Sequence, residues 1–341
     1  MNKPRQTTGK RAGKSARVIA TLAWLNLVFL LVAWALEQRV AENNWMTAML
    51  TYMPQAPLVL PTALLVPLAL LARRWYVFAP VVLAVGLSLG YFLGFQAHRE
   101  VEPAGQPTVS LMTWNIHRGQ AGLEAIVERI ASAYPEIICL QEARDFGERD
   151  SLRQKLAREL PEYTFVRWDM LVIGARLPLL AHREIPLLAG GPRAEALSVR
   201  LEVDGHPLTV ICAHLVTANA PIEAAQRGTP LRSRFKKQLG LRQRQVDSLE
   251  KYIHTLDGPW VMAGDFNTPP RGLIWQRLAT LGKDCFQQVG FGLGYTFPAE
   301  LPVMPIDHVL ASAETRPLKA RVLPTTSSDH LPVFVKLEIA K

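Results

Sequence analysis

Acidic, amide and imidazole side chains follow short apolar runs throughout the last two thirds of the chain. The runs VSLMTWN, EIICLQE, LTVICAHL and PWVMAGDFN are rich in the β-branched and large apolar residues of buried strands, and each has a polar residue at or next to its end. A polar group at the exit of a buried strand is costly unless it has a partner. Polar side chains that come together from the ends of several strands are typical of a metal-assisted catalytic site.

The polar residues at these exits are few and can be named. They are Asn115, Glu142, His214, Asp265 and Asn267, followed by two acid–histidine pairs, Asp307-His308 and Asp329-His330, about twenty residues apart. Alone, the Asp-x-Asn spacing of Asp265 and Asn267 would more often be an Asx-turn than a site, and the alternative for the two acid–histidine pairs is a pair of surface loops. We expect a site here because so many of them recur at strand ends.

Helical segments alternate with these strands. Apolar residues at helical spacing predict a helix over Leu123 to Ala133, a polar helix is predicted over 151–160, and the longest helical pattern covers 237–256. Further strands are predicted at TFVRW, MLVIGA, ALSVRLEV, IDHVLAS and VFVKLEI. Many strands with few helices favour stacked sheets over one parallel sheet.

The first hundred residues are of a different kind. Val18 to Leu36 has no charged residue, is long enough to cross a bilayer and follows a basic tail without acids. A cleaved secretory signal peptide is the alternative, since it shares the basic start. The run ends in Leu36-Glu37-Gln38-Arg39, which lacks the small residues of a cleavage site, so we predict a retained span.

Two more apolar runs, 56–72 and 75–95, are separated only by Arg73-Arg74. We predict spans over both, although Pro61 and Pro67 allow a kinked or re-entrant segment in the first. The positive-inside rule places the basic tail and the arginine pair in the cytoplasm. Three crossings then put the rest of the chain outside the cytoplasm, as the catalytic domain of a multi-pass inner-membrane protein, whereas two would leave it inside.

The chain thus divides into four parts. They are a basic cytoplasmic tail at 1–17, a transmembrane region at 18–96, a Pro- and Gly-containing linker at 97–107 and a catalytic domain at 108–341. The net charge of +9 comes mostly from the first 105 residues, which carry ten Lys/Arg and four Asp/Glu. The nearly neutral remainder argues against a protein built to bind duplex nucleic acid.

One basic run interrupts that near-neutral domain. Seven basic residues and no acid lie between 226 and 244, namely Arg227, Arg232, Arg234, Lys236, Lys237, Arg242 and Arg244. An ordinary solvated helix face and a patch for anionic headgroups or polyphosphate both explain it. The three cysteines, Cys139, Cys212 and Cys285, are an odd number without metal-type spacing, which argues against a disulfide framework.

The order of motifs adds a family resemblance. TWNI, LQE, AHL, an R-x-x-Q helix at Arg242 and Gln245, GDFN, TFP, IDHVL and SDHLPV follow one another over about residues 108–338. In this the chain resembles the endonuclease/exonuclease/phosphatase superfamily of Mg²⁺-dependent phosphoesterases, and its apolar spans resemble the membrane-anchored bacterial members. The resemblance implies a four-layer α/β sandwich, with two packed mixed sheets flanked by helices.

The resemblance also implies a metal site. Glu142 would be the principal ligand of Mg²⁺, with Mn²⁺ as the alternative metal. Asn115 would lie beside Glu142, and Asp329 would be a second acid on the metal side. Some nuclease members carry an acid two residues after the first asparagine, where this chain has His117.

The remaining roles concern water and phosphate. By resemblance, Asp265 orients or deprotonates the attacking water, and Asn267 contacts phosphate and metal. His330 would bind the scissile phosphate, Asp307 would orient His330, and His214 would contact phosphate. His308 is expected to face away from Asp307 as a structural residue.

These features predict a membrane-anchored, divalent-metal-dependent phosphoesterase. Its partners would be membrane lipids and a phosphate ester, lipid-linked or close to the membrane. An extracytoplasmic nuclease is the alternative; the near-neutral domain speaks against it and the basic run for it. A catalytically inactive binding module on the same scaffold is a further alternative, disfavoured because the whole set of polar residues is intact.

Overall fold

The computed structural model of the chain describes residues 7–143, 152–188, 195–217 and 231–339. Its α-helices are α1 Thr7–Arg39, α2 Trp45–Tyr52, α3 Ala56–Ala72, α4 Trp75–Leu87, α5 Leu123–Ala133, α6 Leu152–Glu159, α7 Leu231–Ile253, α8 Gly272–Leu281 and α9 Cys285–Val289. Its strands are β1 Gln96–Ala97, β2 Thr108–Asn115, β3 Ile137–Gln141, β4 Thr164–Trp168, β5 Leu171–Ala175, β6 Leu179–Pro186, β7 Glu195–Val203, β8 His206–His214, β9 Trp260–Asp265, β10 Lys283–Asp284, β11 Phe291–Gly292, β12 Asp307–Ala311, β13 Thr315–Val322 and β14 Val333–Ile339.

Twelve strands form two six-stranded sheets. The first has the order β13-β14-β2-β3-β5-β4, and the second the order β10-β12-β9-β8-β7-β6. Each contains one parallel pair at its centre, β2 with β3 and β8 with β9, among antiparallel neighbours. The two short strands β1 and β11 pair separately.

The sheets pack face to face over an apolar core. Side chains such as Leu111 and Cys139 of the first sheet meet Val210 and Ala263 of the second. Helices α5 and α6 cover the outer face of the first sheet, and α7 and α8 cover the outer face of the second. This arrangement confirms the predicted four-layer α/β sandwich, because each mixed sheet is apolar on both faces and must be covered twice.

Helices α1, α3 and α4 pack together before the sandwich begins. Among the described residues, two segments are long and apolar enough to cross a membrane, Gly13–Arg39 and Trp75–Phe92. A third crossing results only if α2 and α3, bent by 64° at the break between them, count as one span. The last turn of the second segment is a π-helix, Ser88–Phe92.

Several elements lie outside the sequence predictions. Helix α7 begins at Leu231, two turns before the predicted start. Strand β6 was missed because most of its side chains are exposed on both faces, as befits an edge strand without alternation. Helix α8 was missed as well, although Ile274, Trp275 and Leu278 have helical spacing.

Candidate catalytic and metal centre

The central strands of both sheets end at one edge of the sandwich. Asn115 ends β2 opposite Gln141 of β3, with Glu142 directly after it. His214 ends β8 directly opposite Asp265, which ends β9. Because the carboxyl ends of parallel strands share an edge, the four polar residues predicted from strand exits are brought together.

Two antiparallel strands bring the C-terminal acid–histidine pairs to the same edge. Asp307 begins β12 and lies opposite Asp265 in the register. His330 lies in the loop before β14, which pairs with β2. Nε1 of Trp114 donates to the backbone oxygen of His330 at 3.0 Å, and this bond fixes the loop beside β2.

Asp265 is the meeting point of these side chains. Its Oδ2 accepts from Nδ2 of Asn115 at 3.0 Å and lies 3.5 Å from Nε2 of His214 and 3.8 Å from Nε2 of His330. Its Oδ1 accepts from the backbone N–H of Asn267 at 2.8 Å. The carboxylate is 1% exposed, so its charge is balanced by these donors rather than by bulk water.

His330 is held between two acids. Its Nδ1 lies 2.8 Å from Oδ2 of Asp307, and both side chains are buried. Burial lowers the pKa of His330, but the negative charges of Asp307 and Asp265 outweigh it and raise that pKa to about 10. Burial raises the pKa of Asp307, so the two groups compete for one proton. We assign this proton to the His330 ring, because a second carboxylate, that of Asp265, lies 3.8 Å from Nε2 and favours the positively charged imidazole.

The donor set fits a divalent cation. Ligand atoms of Asp265, Asp307 and His330 lie within 4.8 Å of one another, and the two acids can ligate a cation while His330 carries its proton. Oδ1 of Asp307 is buried and has no hydrogen-bond partner among the described residues. Glu142 adds a carboxylate whose Oε1 is 3.4 Å from Nδ2 of Asn115, the amide that also contacts Asp265. Carboxylate oxygens with room for water are what Mg²⁺ and Mn²⁺ prefer.

Asn115 turns its nitrogen, rather than its oxygen, towards the acids. Its Oδ1 accepts from the backbone N–H of His117 at 3.0 Å, while Nδ2 faces Asp265 and Glu142. This orientation follows from the hydrogen bonds around the amide. Ligation of a cation through Oδ1 therefore requires the amide to rotate and give up the bond from His117.

A partly exposed rim of charges surrounds the buried centre. Oδ1 of Asp329 lies 3.4 Å from Nδ1 of His117, and Nε of Arg118 lies 3.4 Å from Oε2 of Glu142. The histidine that replaces the acid of some nuclease members is thus a partner of Asp329. Asp329, predicted on the metal side, lies on this rim, and its side chain is 38% exposed.

Left-handed backbone recurs at the same edge. His117, Arg118, Glu142 and Asn267 have φ values of 45°, 56°, 53° and 48°. Such residues cost on the order of 1 kcal/mol or more each when they are not glycine, and they cluster at functional sites. Here the turn after each strand redirects the chain so that the polar side chains point across the edge.

Arg242 and Gln245 hold the two loops that follow β8 and β9. Arg242 is fully buried and donates to the backbone oxygens of Val216 and Phe266 and to Oγ1 of Thr268. Oε1 of Gln245 accepts from the backbone N–H of Val216 at 3.0 Å. The R-x-x-Q spacing puts both on the inner face of α7, so they position His214 and Asp265 without touching them.

His308 faces away from the centre, which confirms the prediction. Its Nδ1 lies 2.9 Å from Oδ2 of Asp284, its Nε2 lies 2.9 Å from the backbone oxygen of Thr268, and its ring packs 4.5 Å from Trp275. Alternation along β12 explains the difference from Asp307, since successive side chains point to opposite faces.

Three supporting residues were not assigned a role from the sequence. Oγ1 of Thr296 accepts from the backbone N–H of Asp307 at 3.3 Å, the Phe297 ring lies 4.8 Å from that of His330, and Oγ of Ser328 donates to the backbone oxygen of Asn115 at 2.7 Å. Two of them lie in the TFP motif and one precedes Asp329. Their motifs were the only sequence signal for them.

Comparison with known proteins agrees with this architecture. The profile of the Endonuclease/Exonuclease/phosphatase family matches residues 112–330, which is more than half of the chain. No curated protein sequence matches this chain.

Solved structures share the fold at low identity. An endonuclease/exonuclease/phosphatase from Bacteroides vulgatus is 16% identical, with a TM-score of 0.54 over 68% of this chain and 99% of that one. The protein of the same description from Beutenbergia cavernae is 19% identical, with a TM-score of 0.51 over 69% and 72%. The human Nocturnin catalytic domain with bound sulfate is 21% identical, with a TM-score of 0.51 over 69% and 96%.

Proposed function

The chain belongs to the Endonuclease/Exonuclease/phosphatase family, whose members hydrolyse phosphoester bonds, and we propose that it is a membrane-anchored, divalent-metal-dependent phosphoesterase. Its substrate is a phosphate ester that is lipid-linked or held close to the membrane surface. The observation that carries the proposal is the convergence of Asn115, His214 and His330 on the single buried carboxylate of Asp265.

Glu142, with Asn115 and Asp329, would hold the cation. A bound cation would act as a Lewis acid and neutralise negative charge on the phosphate oxygens. Glu142 is suited to this task because its side chain is 22% exposed and therefore open to a cation and its waters. The buried, unpartnered Oδ1 of Asp307 is a further oxygen at the centre.

Asp265 would accept the proton of the attacking water. Two imidazoles and one amide face its Oδ2, so the carboxylate is fixed in orientation. A positioned general base of this kind contributes about 10²–10⁴-fold to a rate.

His330, His214 and Asn267 would contact the phosphate. The protonated ring of His330 offers an N–H at Nε2 and is kept in place by Asp307 at Nδ1. Nδ2 of Asn267 donates one N–H to the backbone oxygen of Leu215 at 3.0 Å, and its second N–H would donate to a phosphate oxygen. Fixed donors around the phosphate oxygens stabilise charge that develops in the transition state.

The packing of the apolar helices supports an extracytoplasmic catalytic domain. Ala16 of α1 packs with Ala69 of α3 and Val77 of α4, at the end that carries the exposed Arg73 and Arg74. The opposite ends of α1 and α4 meet the sandwich, where β1 pairs with β11. With the arginines in the cytoplasm, the sandwich lies on the other side, provided that α3 completes a crossing.

Basic residues of α7, close to α2 of the helical bundle, support an anionic membrane surface as partner. Phe235 and Leu239 of α7 pack against Ala48 of α2, which turns the exposed Lys236 and Lys237 outward beside the helical bundle. Charges in such a position contribute about 1 kcal/mol each on an anionic surface. Arg227 lies outside the described residues, and Arg242 is engaged with the catalytic loops.

A nuclease is the second candidate, because the same exposed lysines can contact a phosphodiester backbone. We favour the membrane because α7 packs on α2 at the bundle. Binding to duplex DNA with a steep salt dependence would favour the nuclease instead.

A substrate panel tests the proposal. Detergent-purified full-length protein is assayed with a polyprenyl pyrophosphate, sphingomyelin, single- and double-stranded DNA and an aryl phosphodiester, each with and without chelator. The proposal predicts chelator-sensitive turnover that is greatest on a lipid-borne phosphate. Turnover confined to DNA, or no turnover on any phosphate ester, would overturn it.

A further inference from the structure

A cavity lies where the candidate span Trp75–Phe92 meets the sandwich. Gly90 and Tyr91 of the span line one side, and Phe286, Leu293 and Val322 of the sandwich are among the residues that line the other. Its volume is about 90 Å³. Since one water needs at least about 10–15 Å³ by this kind of measure, this junction cavity has room for several methylene-sized groups.

The junction cavity borders the catalytic centre. Asp307 and His308 both line it. Asp307 is the acid that holds Nδ1 of His330, and its Oδ1 is buried without a hydrogen-bond partner. The junction cavity therefore lies next to the Asp307–His330 pair.

An apolar patch adjoins the junction cavity at the end of the span and shares Leu293 with its lining. This patch consists of Phe95, Phe291 and Leu293, which are 39%, 73% and 38% exposed. The rings of Phe95 and Phe291 lie 5.7 Å apart, because β1 pairs with β11 directly after the span. Three apolar side chains exposed together at this place are suited to hydrocarbon rather than to water.

A wider groove continues from the cavity. Its volume is about 640 Å³, and it shares Phe286, Leu293, Gly294 and Val322 with the junction cavity as lining residues. Patch, groove and cavity are thus contiguous, and together they lead from the end of the span to Asp307.

The charges of the lining decide which part of a ligand enters. Asp284 and Asp307 line the junction cavity, and neither lysine nor arginine is among its described lining residues. A phosphate group is repelled by such a lining, whereas a hydrocarbon chain is accepted by the apolar walls.

We infer that the junction cavity binds the head-proximal part of the hydrocarbon chain of a phosphate-bearing membrane amphiphile. The inference rests on the proposed function, since the phosphate of that amphiphile is the group hydrolysed at the centre. The cavity then selects lipid-borne phosphates by their chain, and it passes the chain from the bilayer to the site along the span.

Gly90 provides the test. A Cβ placed on Gly90 meets no atom within 4 Å, so Gly90→Leu adds bulk at the cavity wall without a clash at Cβ. Gly86 lies one helical turn earlier, also has free space around its Cβ and does not line the cavity. Gly86→Leu is therefore the matched control for a leucine in the same span.

The assay compares hexadecyl and butyl p-nitrophenyl phosphate, two diesters with one leaving group. The ratio of kcat/KM for the long chain over the short chain is expected to exceed one in the natural protein. Gly90→Leu should lower that ratio about tenfold, the effect of losing contact with two or three buried methylenes, whereas Gly86→Leu should leave it unchanged. An unchanged ratio in Gly90→Leu would overturn the inference.

A binding readout keeps the inference testable without turnover. Hexadecyl phosphate with a diazirine in the head-proximal half of its chain is crosslinked to the full-length protein in detergent, and the labelled peptides are mapped. We expect labels in 286–294 and 90–96, lost in Gly90→Leu and kept in Gly86→Leu. Labels outside these two segments would refute binding of the chain in the junction cavity. Labels within them, without hydrolysis of either diester, would refute only the proposed activity.

Discussion

Nδ1 of His330 lies 2.8 Å from Oδ2 of Asp307, and Nε2 of the same ring lies 3.8 Å from Oδ2 of Asp265. One imidazole therefore joins the acid that orients it to the acid at the meeting point of the site. The two sheets contribute separately to this arrangement. Asp265 and Asp307 come from the second sheet, and His330 comes from a loop of the first.

Asp307→Asn should lower kcat by about 10²–10³-fold, because the amide neither fixes the ring nor stabilises its positive charge. It should also lower the pKa of His330, since the nearest negative charge is removed. The pH–rate profile measures both effects. A lower rate with an unchanged profile would indicate a purely structural role for Asp307.

The pKa of His330 also predicts a pH dependence of stability in metal-free protein. The fold raises this pKa from about 6.5 to about 10, so the protonated ring stabilises the fold. That contribution is fully present below pH 6.5 and is lost as the pH rises through about 10. The thermal midpoint of the chelator-treated protein should fall between pH 7 and pH 10 more than that of His330→Gln. Parallel curves would contradict the assignment of the proton to the ring.

Arg242→Lys should lower kcat about 10- to 100-fold although Arg242 touches no substrate. Lysine cannot replace a guanidinium that donates to Val216, Phe266 and Thr268 at once. A positioning role predicts a larger change in kcat than in KM. The control is Arg153→Lys, an exposed change on α6 that should alter neither kcat nor KM. Unchanged constants in Arg242→Lys would show that the two loops keep their positions without the guanidinium.

Glu42→Gln should loosen the contact between the helical bundle and the sandwich. The carboxylate accepts the backbone N–H of Leu273 at 2.7 Å and lies at the start of α8, where negative charge is favoured. Gln keeps an acceptor oxygen but removes the negative charge, which costs about 0.3–1 kcal/mol, and the thermal midpoint should fall by about 1–4 °C. Glu128→Gln on the exposed face of α5 is the control, and equal midpoints for the two variants would speak against the cap.

Local sequence predicts the strands and their polar exits well. The runs LTVICAH and WVMAGD consist mostly of apolar and β-branched residues. Their last residues, His214 and Asp265, are the ones that reach the site. The period of a buried strand and its last polar residue are local properties. The prediction that His308 faces away from Asp307 is also a local one, because successive side chains of a strand point to opposite faces.

Contacts over long sequence distances could not be predicted in this way. Arg271 donates to the backbone oxygen of Thr51 at 2.8 Å across more than two hundred residues, and no local pattern indicates it. The orientation of the Asn115 amide is also set from outside, by His117 and Asp265. Edge strand β6 lacks the alternation that a half-buried strand would show.

The most direct measurement is metal-dependent hydrolysis of an aryl phosphodiester by the detergent-purified full chain and by Asp265→Asn. We predict that chelator abolishes turnover, that Mg²⁺ or Mn²⁺ restores it, and that Asp265→Asn lowers kcat by about 10²–10⁴-fold. The exposed change Asp257→Asn should have no effect, and the thermal midpoints should show that both variants are folded. Full turnover by Asp265→Asn, or turnover that survives the chelator, would contradict the account.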